Sequence, residues 1–290
     1  MKNGTLIIMA FLTVACSPKT EQQQTETGLQ NSSPSLEQVW VSDTLLRTPE
    51  SVLYDHERDI IYVSNINMNP WEKDGNGFLS RMDLEGHILD LQWVTGLSAP
   101  KGMGILGNAL FVADIDEVVE IDIESGQIKN RYPVAGAPTL NDISVGNGAV
   151  YISGSDSNKV FEWRDGQITT LLEGDFGRPN GLFYEPDRLL MLTSNSSVLR
   201  SFDLKTKESI VLVDSLGRGD GIVPAGNGNY LASSWSGELF YITSGWERIQ
   251  LLDTREKEIN AADIDYIIDR KLLLVPTFFD NRVVAYRLQN

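Results

Sequence analysis

The 290-residue chain contains a single cysteine, Cys16, and only two histidines, His56 and His87. One cysteine close to the N-terminus leaves the body of the protein without disulfides, so its fold must be held by an apolar core. Two histidines are too few for a three-histidine zinc site and give little support to histidine-based triads. Cationic residues are also scarce: 24 Lys and Arg face 40 Asp and Glu, a formal net charge of −16. A surface of that sign repels phosphate backbones, which argues against nucleic acid and anionic membrane surfaces as partners. No G-x-x-x-x-G-K-[ST] run is present, so nucleotide binding through a phosphate loop has no support. No window sustains a 3.6-residue apolar period over three turns. Beyond the first sixteen residues, no segment is long and apolar enough to span a bilayer.

What the N-terminus does contain is "MKNGTLIIMAFLTVAC". Lys2 supplies a positive n-region, and "LIIMAFLTVA" is an apolar stretch too short for a comfortable span. Small Ala15 then precedes Cys16. This order resembles a bacterial lipoprotein signal, with residues 1–15 removed and Cys16 carrying lipid. An ordinary secretory signal with an incidental cysteine is the alternative. Residues 16–35 are rich in Gln, Ser, Thr and Pro, with too little apolar surface to offset the entropy of ordering them. They are expected to form a flexible tether, giving an exported protein of the bacterial cell envelope, periplasm-facing or surface-exposed, that meets the membrane only through its anchor.

Residues 36–290 hold short apolar segments separated by Gly, Asp and Asn turns. "DIIYVSN", "ALFVADI", "AVYISGS", "LLMLTSN", "NYLASSW" and "LLLVPTF" are rich in the residues that favour strands. Before each lies a version of one phrase. Glu50-Ser51-Val52, Lys101-Gly102-Met103, Asn141-Asp142-Ile143, Asn180-Gly181-Leu182, Asp220-Gly221-Ile222 and Ala262-Asp263-Ile264 are spaced 51, 40, 39, 40 and 42 residues apart. About 40 residues suits one four-stranded blade. Six copies predict an all-β, six-bladed β-propeller. Its last repeat runs out after three strands, and "LEQVWVSDTLL" (36–46) is available to complete it from the N-terminal side, removing an exposed edge.

In such a ring the first residues of the phrases converge on one face around the central channel. Four of the six, Glu50, Asn141, Asn180 and Asp220, offer oxygen donors, although Pro179-Asn180-Gly181 taken alone is good turn chemistry. Oxygen donors carried by separate rigid blades suit a hard cation, Ca²⁺ first, with Mg²⁺, Mn²⁺ or Zn²⁺ as alternatives. Lys101 is then an awkward neighbour. If its ammonium points inward it pairs with Glu50 or Asp220 and weakens cation affinity; otherwise it turns to solvent or to a carbonyl.

The same residues carry a family resemblance. Over residues 37–290 the chain resembles the senescence marker protein/gluconolactonase family of six-bladed propellers. "TPESVLYD" matches the first-blade Glu of that family at Glu50, and "TLNDISV" its third-blade Asn at Asn141. "PNGLFYEPDRLLMLTSN" matches at Asn180, and "RGDGIVPAGNGNYLASSW" at Asp220. The resemblance implies a divalent cation held by these four residues, with Asp220 as the general base and Glu50 as its alternate. Two departures stand out: Lys101, and Thr139 where gluconolactonases usually carry an Arg that grips the sugar acid.

Metal-assisted hydrolysis of a lactone or ester is the chemistry these residues support, the cation polarising the carbonyl and a carboxylate activating water. The loop "NINMNPWEKDGNGF" accounts for the long first spacing and brings Trp71, Glu72 and Asp74 over the expected pocket. Trp235, Phe278 and Phe279 occupy equivalent loops, where they would either pack between blades or form an aromatic rim. Such a rim on a polar floor suits a neutral lactone, ester or sugar derivative, bound by a monomer. The competing reading is a non-catalytic propeller that binds a ligand or partner protein, with Lys101 neutralising the carboxylates.

Overall fold

A computed structural model of the chain describes residues 33–289, together with 1, 2, 4 and 6. Cys16, most of the expected signal segment and nearly all of the expected tether lie outside the described residues. From Ser35 onward the chain forms six four-stranded sheets, each built of antiparallel neighbours. They are the blades of a six-bladed β-propeller. The fourth blade shows the plan: Pro179–Glu185 innermost, then Arg188–Thr193, Leu199–Asp203 and, outermost, Ser209–Val213. The other complete innermost strands are Pro49–Asp55, Pro100–Leu106, Leu140–Gly146 and Gly219–Gly226.

The turns follow from local chemistry. Asn147-Gly148, Asp165-Gly166 and Asn227-Gly228 each place two successive residues at positive φ (51° and 68°, 51° and 82°, 54° and 75°). That is the signature of the tight hairpin turn whose twist matches that of its flanking strands. Burial follows the radius. Every residue of Ala149–Gly154, a second strand, is buried, whereas the outer strand Gln127–Pro133 is mostly exposed. Strands covered on both faces need continuous apolar runs, which is why "AVYISG" does not alternate. The core is a set of wedges between adjacent blades. One wedge joins Tyr62, Leu79 and Leu97 of the first blade to Met103, Leu110 and Val112 of the second.

The ring closes through the N-terminal strand. Ser35–Val41 pairs antiparallel with Val283–Gln289, from Ser35 opposite Gln289 to Val41 opposite Val284. The strand ends five residues earlier than expected because Ser42 begins a turn. Its hydroxyl accepts the Val283 N–H (3.0 Å), Asp43 accepts the N–H of Thr44 (2.6 Å), and Leu46 drops fully buried into the wedge between last and first blades. Trp40 Nε1 donates to Leu84 O at 2.8 Å, tying the closing strand to the first blade.

A second seam lies at the axis. The innermost strand of the last blade is only Asp265–Ile267, shorter than "AADIDYIID" suggests. The backbone just before it pairs with the neighbouring blade instead: Asp263 N donates to Glu50 O at 2.9 Å, and Ser51 and Asp263 form a parallel bridge.

Truncation separates the closing strand from what precedes it. A chain beginning at Ser33 is expected to melt like the longer protein, and one beginning at Ser42 to lose several kcal/mol by opening an edge. Equal melting temperatures for the two would refute closure by this strand.

Candidate functional site

Five of the six phrases sit where the innermost strand slips register against the second strand. The shifts fall between Pro49 and Ser51, Pro100 and Met103, Leu140 and Ile143, Pro179 and Leu182, and Gly219 and Ile222. A bulge inserts an unpaired residue and re-aims its side chain, here towards the channel. In the first, third and fifth blades a second-strand serine takes the N–H that the ladder has lost. Ser51 N donates to Ser64 Oγ (2.9 Å), Asp142 N to Ser153 Oγ (2.8 Å) and Gly221 N to Ser233 Oγ (2.8 Å). Asn180-Gly181 is therefore strand, not turn. Gly181 is required by a close approach: a Cβ there would lie 2.0 Å from Asp220 O of the next blade.

Glu50, Lys101, Asn141, Asn180 and Asp220 come together at one end of the channel, lining a cavity of about 290 Å³. All five are less than a tenth exposed. Ala262, the sixth phrase residue, is instead packed with Ile66 and Phe278. Glu50 Oε2 and Asp220 Oδ1 are buried without any hydrogen-bond partner. Burial, with the charge of Asp220 second, pushes the Glu50 carboxyl well above its usual pKa; the Lys101 charge opposes this. Asp220 is raised by burial and by Asp263, against the pull of Asn180, Arg218 and Arg178. Asn141 commits its Nδ2 to Ser155 Oγ at 3.4 Å, which leaves its Oδ1 as the atom available to a ligand.

Lys101 does not turn to solvent, and it forms no ion pair among the described residues. Its Nζ donates to Pro70 O and Ala99 O, both at 3.0 Å, and lies 4.6 Å from the centroid of the Trp71 ring. Burial lowers its pKa to about 8, against the raising influence of Glu50.

The rim comes from three loops. Trp71, Trp235, Phe278 and Phe279 all line the cavity, and Trp235 packs edge-on against both phenylalanines, at 5.5 and 6.0 Å between centroids. Phe278 does both jobs that its position allowed: it lines the pocket and is buried between blades. The first-blade loop is fastened over the second blade by Lys73 and Asp116 at 2.5 Å. Glu72 and Asp74 do not line the cavity. Each holds its own loop, Glu72 through Asn69 and Asp74 through Asn76.

Thr139 does not line the cavity either, because its hydroxyl accepts the Asp156 N–H (2.8 Å) and shapes the loop. The same offset, two residues before the phrase, instead places Arg178 and Arg218 in the pocket from the fourth and fifth blades. Applying that offset to every repeat would have found both in the sequence. Both histidines lie away from this pocket. His56 lines a cavity of about 730 Å³ at the other end of the channel, and His87 is exposed against Asp83 Oδ2 at 2.8 Å.

One layer deeper, Asp142 and Asp263 act as straps between blades. Asp142 accepts the Leu182 N–H (2.6 Å), and Asp263 Oδ2 accepts the Ser51 hydroxyl (2.6 Å). Burial raises both carboxyls, Asp263 to about 7. Among the described residues no three His, Cys, Asp or Glu side chains are gathered at metal-ligand spacing. The donor set at the cavity is two carboxylates and two amides, and its orphaned carboxylate oxygens fit an oxygen-seeking divalent cation.

No protein-family model and no curated protein matches the chain by sequence. Solved structures do match. A gluconolactonase from Xanthomonas campestris superimposes with a TM-score of 0.69 at 14% identity, over 88% of this chain and 90% of that one. Virginiamycin B lyase from Staphylococcus aureus, in a catalytically inactive histidine-to-alanine form with quinupristin, gives 0.64 at 14%, over 88% and 100%. A chain of the nidogen/laminin complex gives 0.62 at 15%, over 74% and 83%. At such identities the likeness establishes the propeller fold.

The raised carboxyls set a pH dependence. A folded-state pKa of about 7 for Asp263, against roughly 4 unfolded, means that the folded protein holds this proton more tightly. Its stabilising contribution is complete below the unfolded value and lost as pH rises through the folded one. In the presence of a chelator, the melting temperature should therefore rise on going from about pH 8 to about pH 5, and Asp263→Asn should flatten the change. A melting temperature that falls steadily over that range would contradict this assignment.

Proposed function

We propose that the protein is a divalent-cation-dependent hydrolase of an ester or lactone, akin to the senescence marker protein/gluconolactonase family, with Ca²⁺ as the cation. One observation carries the reading: Glu50 Oε2 and Asp220 Oδ1 are buried and unpartnered in a cavity that Asn141 and Asn180 also line. Leaving a carboxylate oxygen buried without a partner is costly, and a bound cation would satisfy both at once. When bound, the cation supplies Lewis-acid polarisation of the scissile carbonyl.

The residues themselves do the rest. Glu50, Asn141, Asn180 and Asp220 hold the cation by oxygen atoms. Asp220 takes the proton from the attacking water, with Glu50 as its alternate. Trp71, Trp235 and Phe279 wall the pocket and limit the water that reaches the reacting carbonyl. Lys101 is held by two carbonyls and the Trp71 ring, close enough to Glu50 to offset its charge without a direct ion pair. An elimination that relies on histidine, of the kind suggested by the inactive lyase variant, has no residue here, since neither His56 nor His87 lines this pocket. With Cys16 as the lipid attachment point, the enzyme would work as a monomer at the bacterial cell envelope.

The Lys101 ammonium favours one other reading. It supplies positive charge beside the carboxylates without a metal, as a non-catalytic, ligand-binding propeller would require.

Chelation separates the two. At a free cation concentration about 100-fold above Kd, binding to the folded state stabilises by roughly 2.7 kcal/mol. Each kcal/mol shifts the melting point of a domain of this size by about 2–4 °C, so chelation should lower it by roughly 5–11 °C. Asp220→Asn should remove most of that response and reduce lactone hydrolysis by about 10²–10⁴-fold. A protein indifferent to chelator, whose Asp220→Asn variant behaves like wild type, is the binding propeller.

A further inference from the structure

The pocket has an anionic floor and cationic walls. Its carboxylates are Glu50 and Asp220; its cations are Lys101, Arg178 and Arg218. A divalent ion on the floor would leave the pocket with a clear positive excess, on a protein whose net charge is −16. Nothing in a neutral lactone or ester uses that excess.

Arg218 is presented to the pocket without a side-chain partner, and Arg178 is shared with an acid at the pocket's edge. The Arg218 guanidinium lies over the Trp235 ring, 4.4 Å from its centroid, and no hydrogen bond or ion pair among the described residues engages it. The Arg178 guanidinium lies 5.7 Å from the centroid of Trp71. Its Nε forms an ion pair with Asp156 Oδ1 at 3.0 Å, without hydrogen-bond geometry, and the Asp156 side chain is 54% exposed, so water screens that pair. A guanidinium held over an indole can still offer N–H donors to a ligand, and its planar fork matches a carboxylate at two points. Both arginines line the same cavity as Asn180 and Asp220, from adjacent blades, and both charges act on Asp220.

We infer that the pocket selects an ester or lactone that carries a carboxylate, with Arg218 and Arg178 gripping the carboxylate while the carbonyl lies over the Glu50, Asn141, Asn180 and Asp220 floor. The substrate class rests on the hydrolase reading; the anion site does not. Trp71 and Trp235 hold the forks in place and also flank the substrate ring.

The test uses a γ-butyrolactone bearing a ring carboxylate, its methyl ester, and the ring-opened hydroxy acid of the carboxylated lactone as a binding probe. Wild type should prefer the carboxylated lactone in kcat/KM, and Arg218→Gln should lower that preference by about 10- to 100-fold, mainly through KM. Arg218→Lys, which keeps the charge and loses the fork, should recover only part of it. Rising salt should weaken the wild-type preference. Equal loss on both lactones would mean that Arg218 acts on Asp220 or on the fold, and would overturn the assignment. So would hydrolysis with no preference for the carboxylate, which leaves the hydrolase reading intact. Calorimetry with the hydroxy acid separates the remaining case: binding lost in Arg218→Gln, with no hydrolysis of either lactone by wild type, supports the anion site and removes the hydrolase.

Discussion

Four carboxylates, Glu50, Asp142, Asp220 and Asp263, are buried around one axis; burial raises the pKa of each, and the charge of Asp263 adds to the rise at Glu50, Asp142 and Asp220. Burial of like charges is the constraint to which the inner part of the propeller answers. Two of the four satisfy it by hydrogen bonding across blade boundaries: Asp142 to Leu182 and Asp263 to Ser51. These bonds stitch third blade to fourth and sixth to first, so part of the electrostatic cost becomes ring cohesion. Glu50 and Asp220 each keep an oxygen with no partner, and they are the two that face the cavity. Satisfied acids make structure here and unsatisfied acids make a site. The difference is one residue of register along the same repeated phrase.

That register explains what could be read from the sequence. The repeat of about 40 residues was legible because every blade must bury the same wedge, which forces the same apolar pattern six times. The closing strand was legible because a missing fourth strand leaves an edge that something must cover. The convergence of Glu50, Lys101, Asn141, Asn180 and Asp220 followed from the ring geometry alone. What stayed hidden depends on exact pairing. Asn180-Gly181 resembles a turn in one dimension; only the neighbouring blade shows that the glycine is there to admit the Asp220 carbonyl. The last blade's inner strand is short because Asp263 bonds to the first blade, a contact 213 residues distant in sequence from Glu50. Arg178 and Arg218 carry no repeat signal of their own, because the same offset holds Thr48, Ala99, Thr139 and Asn260 in the other blades, and Thr139 shapes a loop.

The structural neighbours show why the site, and not the ring, must carry the functional argument. A gluconolactonase, a lyase and a chain of the nidogen/laminin complex share this architecture at 14 or 15% identity. A propeller offers each of them the same opportunity: six loops and six strand starts aimed at one axis, on blades that brace one another. Chemistry is then set by very few positions. In this chain the second-blade position is a lysine whose ammonium is spent on Pro70 and Ala99 carbonyls, which keeps a cation near the floor without letting it occupy the space between Glu50 and Asp220.

The two ends of the channel are not equivalent, and the asymmetry gives the site a direction. At the far end the cavity is larger, its walls mix Val, Ile and Leu with six Asp and Glu side chains, and His56 is the one imidazole, with neither Lys nor Arg among the lining residues. At the near end three cations stand over or beside aromatic rings. The buried acids lie between. An anion approaching this otherwise acidic protein meets attraction at one mouth and repulsion at the other, and low-dielectric walls focus both effects. The polarity of the channel thus points an anionic ligand to the same end at which Glu50 and Asp220 lack partners. Two independent features, fixed cations at the rim and orphaned oxygens on the floor, single out one mouth of a sixfold ring whose backbone alone would not distinguish them.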